Sequence, residues 1–275
     1  MELRADQGSM GTVRANDGTV IGYRVMGAGP GLLIIHGAFR ASQHYLQLAR
    51  ELSDTFTVYV MDRRGRNGSG AKGDAYSLAT ECADAAAIMD QHGISLLFGH
   101  SYGAVVALQL AKHRPLTKVA LYEPPMMRYF PSEWLPTFER EMQREDYAAA
   151  SVTFLKGMRM GGWLGRLPKP LLNLMFRKMA KGEEWEENVQ LLRTVPKEIR
   201  AVLREDFGID QYREVKVPVL LMTGTKSPGY LHEAAAALES CLPDRQVVSL
   251  EGLHHNAPDD QAPGQIAGLI KGFME

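Results

Sequence analysis

A serine hydroxyl is a weak nucleophile until a neighbouring base takes its proton. In this chain of 275 residues one serine, Ser101, sits in a setting that favours such activation, Gly99-His100-Ser101-Tyr102-Gly103. It falls between the apolar run ISLLF and the amphipathic stretch YGAVVALQLAKH, so a strand should lead into a sharp turn and a helix. At the apex of that turn the hydroxyl is lifted off the sheet, and the flanking glycines tolerate the strain because they lack Cβ. The helix N-terminus below adds partial positive charge where an oxyanion would form. The competing reading is a serine that merely caps a helix.

Eight histidines could supply the base. Ligands of parallel α/β sheets sit at the carboxyl ends of the strands, so a base should come from a loop that follows a strand. His36, His100 and the tandem His254-His255 meet that condition, whereas His44, His92, His113 and His232 fall in or at the ends of helical stretches. His100 adjoins the nucleophile, but its side chain should point away from Ser101 on a tight turn. Of the tandem pair in EGLHHNAP, His255 is the favoured base, with His254 the alternative.

These groups need a frame, and the order of elements supplies one. Strands are expected at 19–26 after the turn Asn16-Asp17-Gly18, then at 31–35, 55–61, 94–98 and 118–122, with helices at 42–52, 78–91 and 102–113. GLLII at 31–35 is wholly apolar, as a strand covered on both faces should be. Alternating strands and helices with short links predict a mostly parallel sheet sandwiched by helices, an α/β fold. The alternation breaks over 124–214, which reads as helical, and resumes with strands at 217–223 and 246–250 and helices at 231–241 and 265–274. Residues 1–123 and 215–275 are therefore expected to form one domain and 124–214 an insertion. All three tryptophans, Trp134, Trp163 and Trp185, and seven of the fourteen methionines fall in that insertion. They can build its own small core or line the inner face of a lid over an apolar substrate.

Composition narrows the partners. With 31 Lys+Arg against 32 Asp+Glu and a net charge of -1, no overall basic field exists for nucleic acid or a membrane surface, so neither is expected as a partner. Two cysteines, Cys82 and Cys241, are too few for a disulfide framework and are not spaced as a metal site. No apolar stretch approaches the roughly 20 residues of a membrane span. The opening MELRADQGSMG lacks the apolar core of a secretory leader. A cytoplasmic monomer or homodimer without metal or cofactor is the expectation.

Taken together, five landmarks resemble the α/β-hydrolase superfamily: His36-Gly37, DRRGRNGSG at 62–70, GHSYG at 99–103, an insertion after the sixth strand, and Gly252-x-x-His255. The resemblance implies the α/β-hydrolase fold with an inserted helical lid. It implies Ser101 as nucleophile, His255 as base, and the backbone N–H groups of Ala38 and Tyr102 as an oxyanion hole. His36 then shapes the loop structurally. One departure stands out: where the superfamily commonly carries its acid, after the strand VPVLLMT, this chain has GTKSP, with Ser227 in the acid's place. Serine cannot stabilise an imidazolium. Glu123, ending VALYEPP, occupies the position used by a minority of the superfamily, and Pro124 and Pro125 would stiffen its backbone. The alternative for Glu123 is an ion pair at the base of the lid.

The resemblance thus implies a serine hydrolase that opens an ester, lactone or thioester of a small to medium apolar acyl substrate through an acyl-enzyme. Phe39, Met126 and Trp163 are expected to touch that substrate. Lyase or cofactor-free perhydrolase chemistry, and a binding protein on the same scaffold, are the alternatives.

Overall fold

The computed structural model describes residues 8–204 and 208–275; the reading of the N-terminal leader falls largely on residues 1–7, outside them. Gly18, at φ +81, turns the chain between β1 (Ser9–Arg14) and β2 (Val20–Met26), which pair antiparallel with Arg14 opposite Val20. That positive φ is what the Asp-Gly turn demands.

The chain then alternates: β3 (Gly31–Ile35), a 3₁₀ turn at Ser42–Tyr45 running into α1 (Leu46–Leu52), β4 (Thr57–Met61), α2 (Leu78–His92), β5 (Leu96–His100), α3 (Tyr102–His113) and β6 (Lys118–Tyr122). Four helices come next, α4 (Leu135–Gln143), α5 (Tyr147–Gly157), α6 (Lys169–Met179) and α7 (Glu183–Leu203). The sheet resumes with β7 (Val219–Gly224), α8 (Gly229–Cys241), β8 (Arg245–Leu250) and α9 (Pro263–Met274). The eight strands lie in the order β1-β2-β4-β3-β5-β6-β7-β8, antiparallel up to the β2–β4 pair and parallel from there on.

Successive side chains of a strand face opposite sides of the sheet, and the core divides accordingly. Leu33, Ile35, Leu97, Val119, Leu121 and Leu221 join α2, α3 and α8 on one face. Leu32, Ile34, Phe98, Ala120 and Leu220 join α1 and α9 on the other. Burial on both faces explains why these strands read as continuous apolar runs.

The insertion has a core of its own, built from Leu135, Phe138, Ala150, Leu192, Val195 and Ile199. Trp134 packs edge-on against Phe138 and Phe154 at its margin. The expected insertion ends at 214, but its last turn, Ile209–Glu214, is attached to the main domain: Tyr212 is fully buried in the core beneath α3, where Gln109 donates to its hydroxyl at 3.1 Å. Strand β5 lies two residues later than expected, because His100 is paired in the ladder opposite Tyr122. No helix among the described residues is long and apolar enough to cross a membrane.

Candidate active site

Ser101 follows β5 at φ 54, ψ -120, a backbone region that L-residues seldom occupy. The turn is held by its N–H donating to the Tyr122 carbonyl at 2.8 Å. The flanking glycines are required by space: a Cβ on Gly103 would stand 2.0 Å from the Ile35 carbonyl oxygen, and one on Gly99 2.6 Å from Ala104 Cα. Strand β3, the turn and α3 are thus in backbone contact, as the sequence pattern requires.

Glu123 follows β6 and also has a positive φ, 49°. This bend brings a fully buried carboxylate under the loop after β8. There Glu123 Oε1 accepts the Gly224 N–H at 2.7 Å, and Oε2 lies 2.6 Å from His255 Nδ1. His255 Nε2 lies 3.0 Å from Ser101 Oγ. An ionised carboxylate only accepts hydrogen bonds, so Nδ1 carries the proton and Nε2 presents its lone pair to the serine. The three residues form one line of hydrogen bonds from carboxylate to hydroxyl. Ser227, in the commoner acid position, has a buried Oγ without a hydrogen-bond partner, and His254 holds its loop through Asn256 rather than Ser101.

His100 does point away from Ser101. Its Nε2–H donates to the His255 carbonyl at 2.9 Å, and its Nδ1 accepts from the Tyr45 hydroxyl. Tyr45 Oη in turn accepts the Gly37 N–H at 3.3 Å. A chain of three hydrogen bonds therefore joins the loop after β3 to the backbone of His255, and it requires a neutral His100. Burial, with His255 close by, keeps that imidazole well below the ordinary histidine range.

The loop after β3 is braced from below. His36 is fully buried, donates from Nδ1 to the Gly37 carbonyl at 2.8 Å and accepts the Arg63 N–H at Nε2, 3.2 Å. Burial, reinforced by Arg66 and Arg63, holds it neutral. Arg63 Nη1 donates to the same Gly37 carbonyl at 3.2 Å, and its guanidinium lies 3.9 Å from the centroid of the Tyr102 ring. Two donors on one carbonyl polarise the Gly37–Ala38 peptide and strengthen the Ala38 N–H as a donor. The Gly37 N–H is itself engaged by the Tyr45 hydroxyl.

Arg63 belongs to a buried charged cluster that sequence reading missed. It forms a two-pronged pair with Glu81 of α2 at 3.0 Å and lies 3.2 Å from Glu198 of α7. Glu198 also meets Arg66 and, at 2.8 Å, Lys72. All five side chains are nearly or wholly buried. Burial brings the Lys72 ammonium down to about 8 despite Glu198 and Glu81 beside it. DRRGR was legible as a landmark, but nothing local marks Glu198 as its partner.

A cavity of about 50 Å³ opens at Ser101 and His255, walled by Ala38, Phe39, Arg40, Phe154, Met158, Met160 and Asn256. It adjoins one of about 300 Å³ between the insertion and the loops after β3 and β8, lined chiefly by Phe39, Phe154, Leu155, Phe176, Trp185 and Leu192. Of the expected contacts, Phe39 lines both cavities. Met126 and Trp163 do not: Met126 is buried in the main core, and Trp163 is 74% exposed. Composition marked the insertion as rich in Trp and Met but could not say which way each side chain faces. Phe154, Met158 and Met160 line the cavity at Ser101 instead.

Comparison with known proteins agrees with this architecture. The model of the "Alpha/beta hydrolase family" matches residues 32–269. The "Uncharacterized hydrolase YraK" of Bacillus subtilis is 31% identical over 102 residues, a match covering 36% of this chain and 38% of that protein. The "2-(acetamidomethylene)succinate hydrolase" of Mesorhizobium japonicum is 26% identical over 241 residues, 86% of this chain and 84% of that one. The crystal structure of an alpha/beta hydrolase from Sphaerobacter thermophilus superimposes with a TM-score of 0.79 at 27% identity, covering 96% of this chain and all of that one. With its eight-stranded sheet, its turn at Ser101 and a family match across most of its length, this chain belongs to the alpha/beta hydrolase family.

Proposed function

We propose that the protein is a serine hydrolase cleaving an ester-like bond, a carboxylic ester, lactone or thioester, of a small to medium apolar substrate. The observation that carries this reading is the line Ser101 Oγ, His255 Nε2, His255 Nδ1, Glu123 Oε2, with separations of 3.0 and 2.6 Å. His255 takes the Ser101 proton as the oxygen attacks the carbonyl carbon, and Glu123 stabilises the imidazolium. The Ala38 and Tyr102 N–H groups hold the oxyanion. His255 then passes the proton to the leaving group, and water, deprotonated by His255, hydrolyses the acyl-enzyme. The insertion acts as a lid: its helices close the apolar cavity beside Ser101, and residues such as Phe154 and Trp185 select the substrate by shape.

A fluorophosphonate probe tests the nucleophile. Wild type should be labelled stoichiometrically and Ser101→Ala not at all; an unlabelled wild type would remove the hydrolase reading. Turnover of p-nitrophenyl esters of graded chain length then measures what the cavity accepts. Absence of turnover at every length would point away from ester cleavage.

A further inference from the structure

Two spaces border His255, and they differ in charge. The cavity at Ser101 leads to the largely apolar one, and Arg40, the only Lys or Arg in either lining among the described residues, is paired with Asp259. A cleft of about 460 Å³ runs between Arg159, which follows α5, and Lys226, in the loop after β7. His254, His255 and Asn256 line it as well. Arg159 and Lys226 are exposed, and neither has an ion-pair or side-chain hydrogen-bond partner among the described residues. Asp260 is the one acid in this lining, and its charge also acts on Arg40. Two cations against one acid leave the cleft positive. Met160 and Asn256 border both the cleft and the cavity at Ser101, so the two spaces adjoin beside the imidazole.

Arg159 reaches the cleft from an uncommon backbone. Its φ is 55°, the left-handed conformation in which helices commonly end on glycine, and its N–H closes α5 by donating to the Lys156 carbonyl at 3.0 Å. The same turn does use glycine two residues later, where Gly161 and Gly162 have φ of 87° and 53°. At 159 it holds a cation instead, against the backbone preference of an L-residue.

Acyl transfer dictates which half of a substrate meets which space. In the proposed reaction the carbonyl oxygen must reach the Ala38 N–H, and Ala38 and Phe39 line the cavity at Ser101 but not the cleft. The acyl group then extends toward the apolar cavity. The bond from carbonyl carbon to oxygen or sulfur breaks, and the departing atom takes the proton that His255 received from Ser101. It therefore leaves along the imidazole, beside the space that His255 shares with Arg159 and Lys226. An apolar leaving group would displace water from two cations and offer them nothing in return, whereas an anionic one pairs with them.

We propose that the cleft between Arg159 and Lys226 is the leaving-group site, and that the substrate is an ester or thioester whose acyl half is apolar and whose leaving half carries a carboxylate or phosphate. The assignment of the two halves rests on the serine-hydrolase reading; binding of an anion in the cleft does not. The anionic group itself is unchanged by the reaction.

Paired substrates test the site in the full chain. The 4-nitrophenyl and 3-carboxy-4-nitrophenyl esters of hexanoic acid share an acyl group and differ by one carboxylate on the leaving group. With each rate divided by that of alkaline hydrolysis, wild type should favour the charged ester by about tenfold in kcat/KM, at roughly threefold per cation. Raised salt should shrink the preference. Arg159→Gln and Lys226→Gln should each reduce it and together abolish it, whereas Lys216→Gln, which removes a cation outside the cleft, should leave it unchanged. A folding defect would slow both esters alike and keep their ratio. Hexanoyl thioesters of pantetheine and of its 4′-phosphate repeat the comparison with a phosphate at the end of a longer leaving group, and the pair that shows the preference tells which anion fits. No preference for charge in either pair, or one that survives the double substitution, would overturn the proposal. Ligand-observed NMR of the product 5-hydroxy-2-nitrobenzoate with Ser101→Ala reads the cleft without turnover: it should bind more tightly than 4-nitrophenol, and no more tightly once Arg159 and Lys226 are replaced. Such binding without turnover of any ester would count against the hydrolase reading alone.

Discussion

Glu123→Gln is expected to lower kcat on a good ester substrate by about four orders of magnitude, the scale seen when a triad carboxylate is replaced by its amide. Gly224 explains why an isosteric change should cost so much. Its N–H donates to Glu123 Oε1, so in the variant the amide oxygen must turn toward Gly224 and the NH₂ toward His255 Nδ1. Nδ1 must then be the unprotonated nitrogen, and Nε2 carries the hydrogen and can no longer accept one from Ser101. The fold should survive, because the size of the side chain and the bond to Gly224 are kept. Stopped-flow or steady-state kinetics on a p-nitrophenyl ester, alongside the unfolding midpoint, checks both parts. Near-normal kcat would remove Glu123 from the role of acid.

The second large effect concerns stability. Glu198→Gln should cost about 3–5 kcal/mol, because Arg63, Arg66 and Lys72 would remain buried with only Glu81 to balance them. For a domain of this size that corresponds to a Tm lower by about 10 °C. The pH dependence identifies the cause. Burial alone would raise the Glu198 carboxyl, but Arg63, Arg66 and Lys72 outweigh it and hold the group well below the usual carboxylate range. A depressed carboxyl contributes stability that is complete above its unfolded value, 4.5, and is lost as the pH falls toward its folded one. Calorimetry should therefore find the gap between wild type and Glu198→Gln wide at neutral pH and narrowing below about pH 4.5. A gap that does not change with pH would mean that the loss comes from packing.

Much of the frame was legible in sequence because its signals were local. Helix α3 and strand β6 lie where expected to the residue, bounded by the Ser101 turn and by the break at Glu123. Ser101, His255 and Glu123 were candidates from their places after strands and from the family resemblance, and the structure brings the three within hydrogen-bonding reach of one another. What escaped depends on contacts between distant segments. The pull of His100 into the ladder comes from its pairing with Tyr122. Glu198 was one acidic residue in a charged helix until folding buried it against the loop after β4. Trp163 and Met126 lie away from the two cavities for a related reason: residue type says that a side chain is apolar, whereas neighbours decide whether it meets a cavity, a core or water.

Strands β5 and β6 are neighbours, and Ser101 and Glu123 each stand one residue beyond the paired His100 and Tyr122. Adjacent strands run about 4.8 Å apart, so hydroxyl and carboxylate are offered one strand spacing apart, and a single imidazole bridges them. An acid after β7 would be reached from the next spacing along. On the proposed mechanism, with the carboxylate at the end of β6, the loop after β7 has no acid to supply. Ser227 makes no hydrogen bond through its hydroxyl there, and Lys226 borders a cleft that runs from Arg159 past His254 to the other side of His255. On the proposed mechanism the β7 loop then contributes wall rather than acid: Lys226 and Pro228 line the cleft beside His255, while the imidazole keeps its carboxylate on β6.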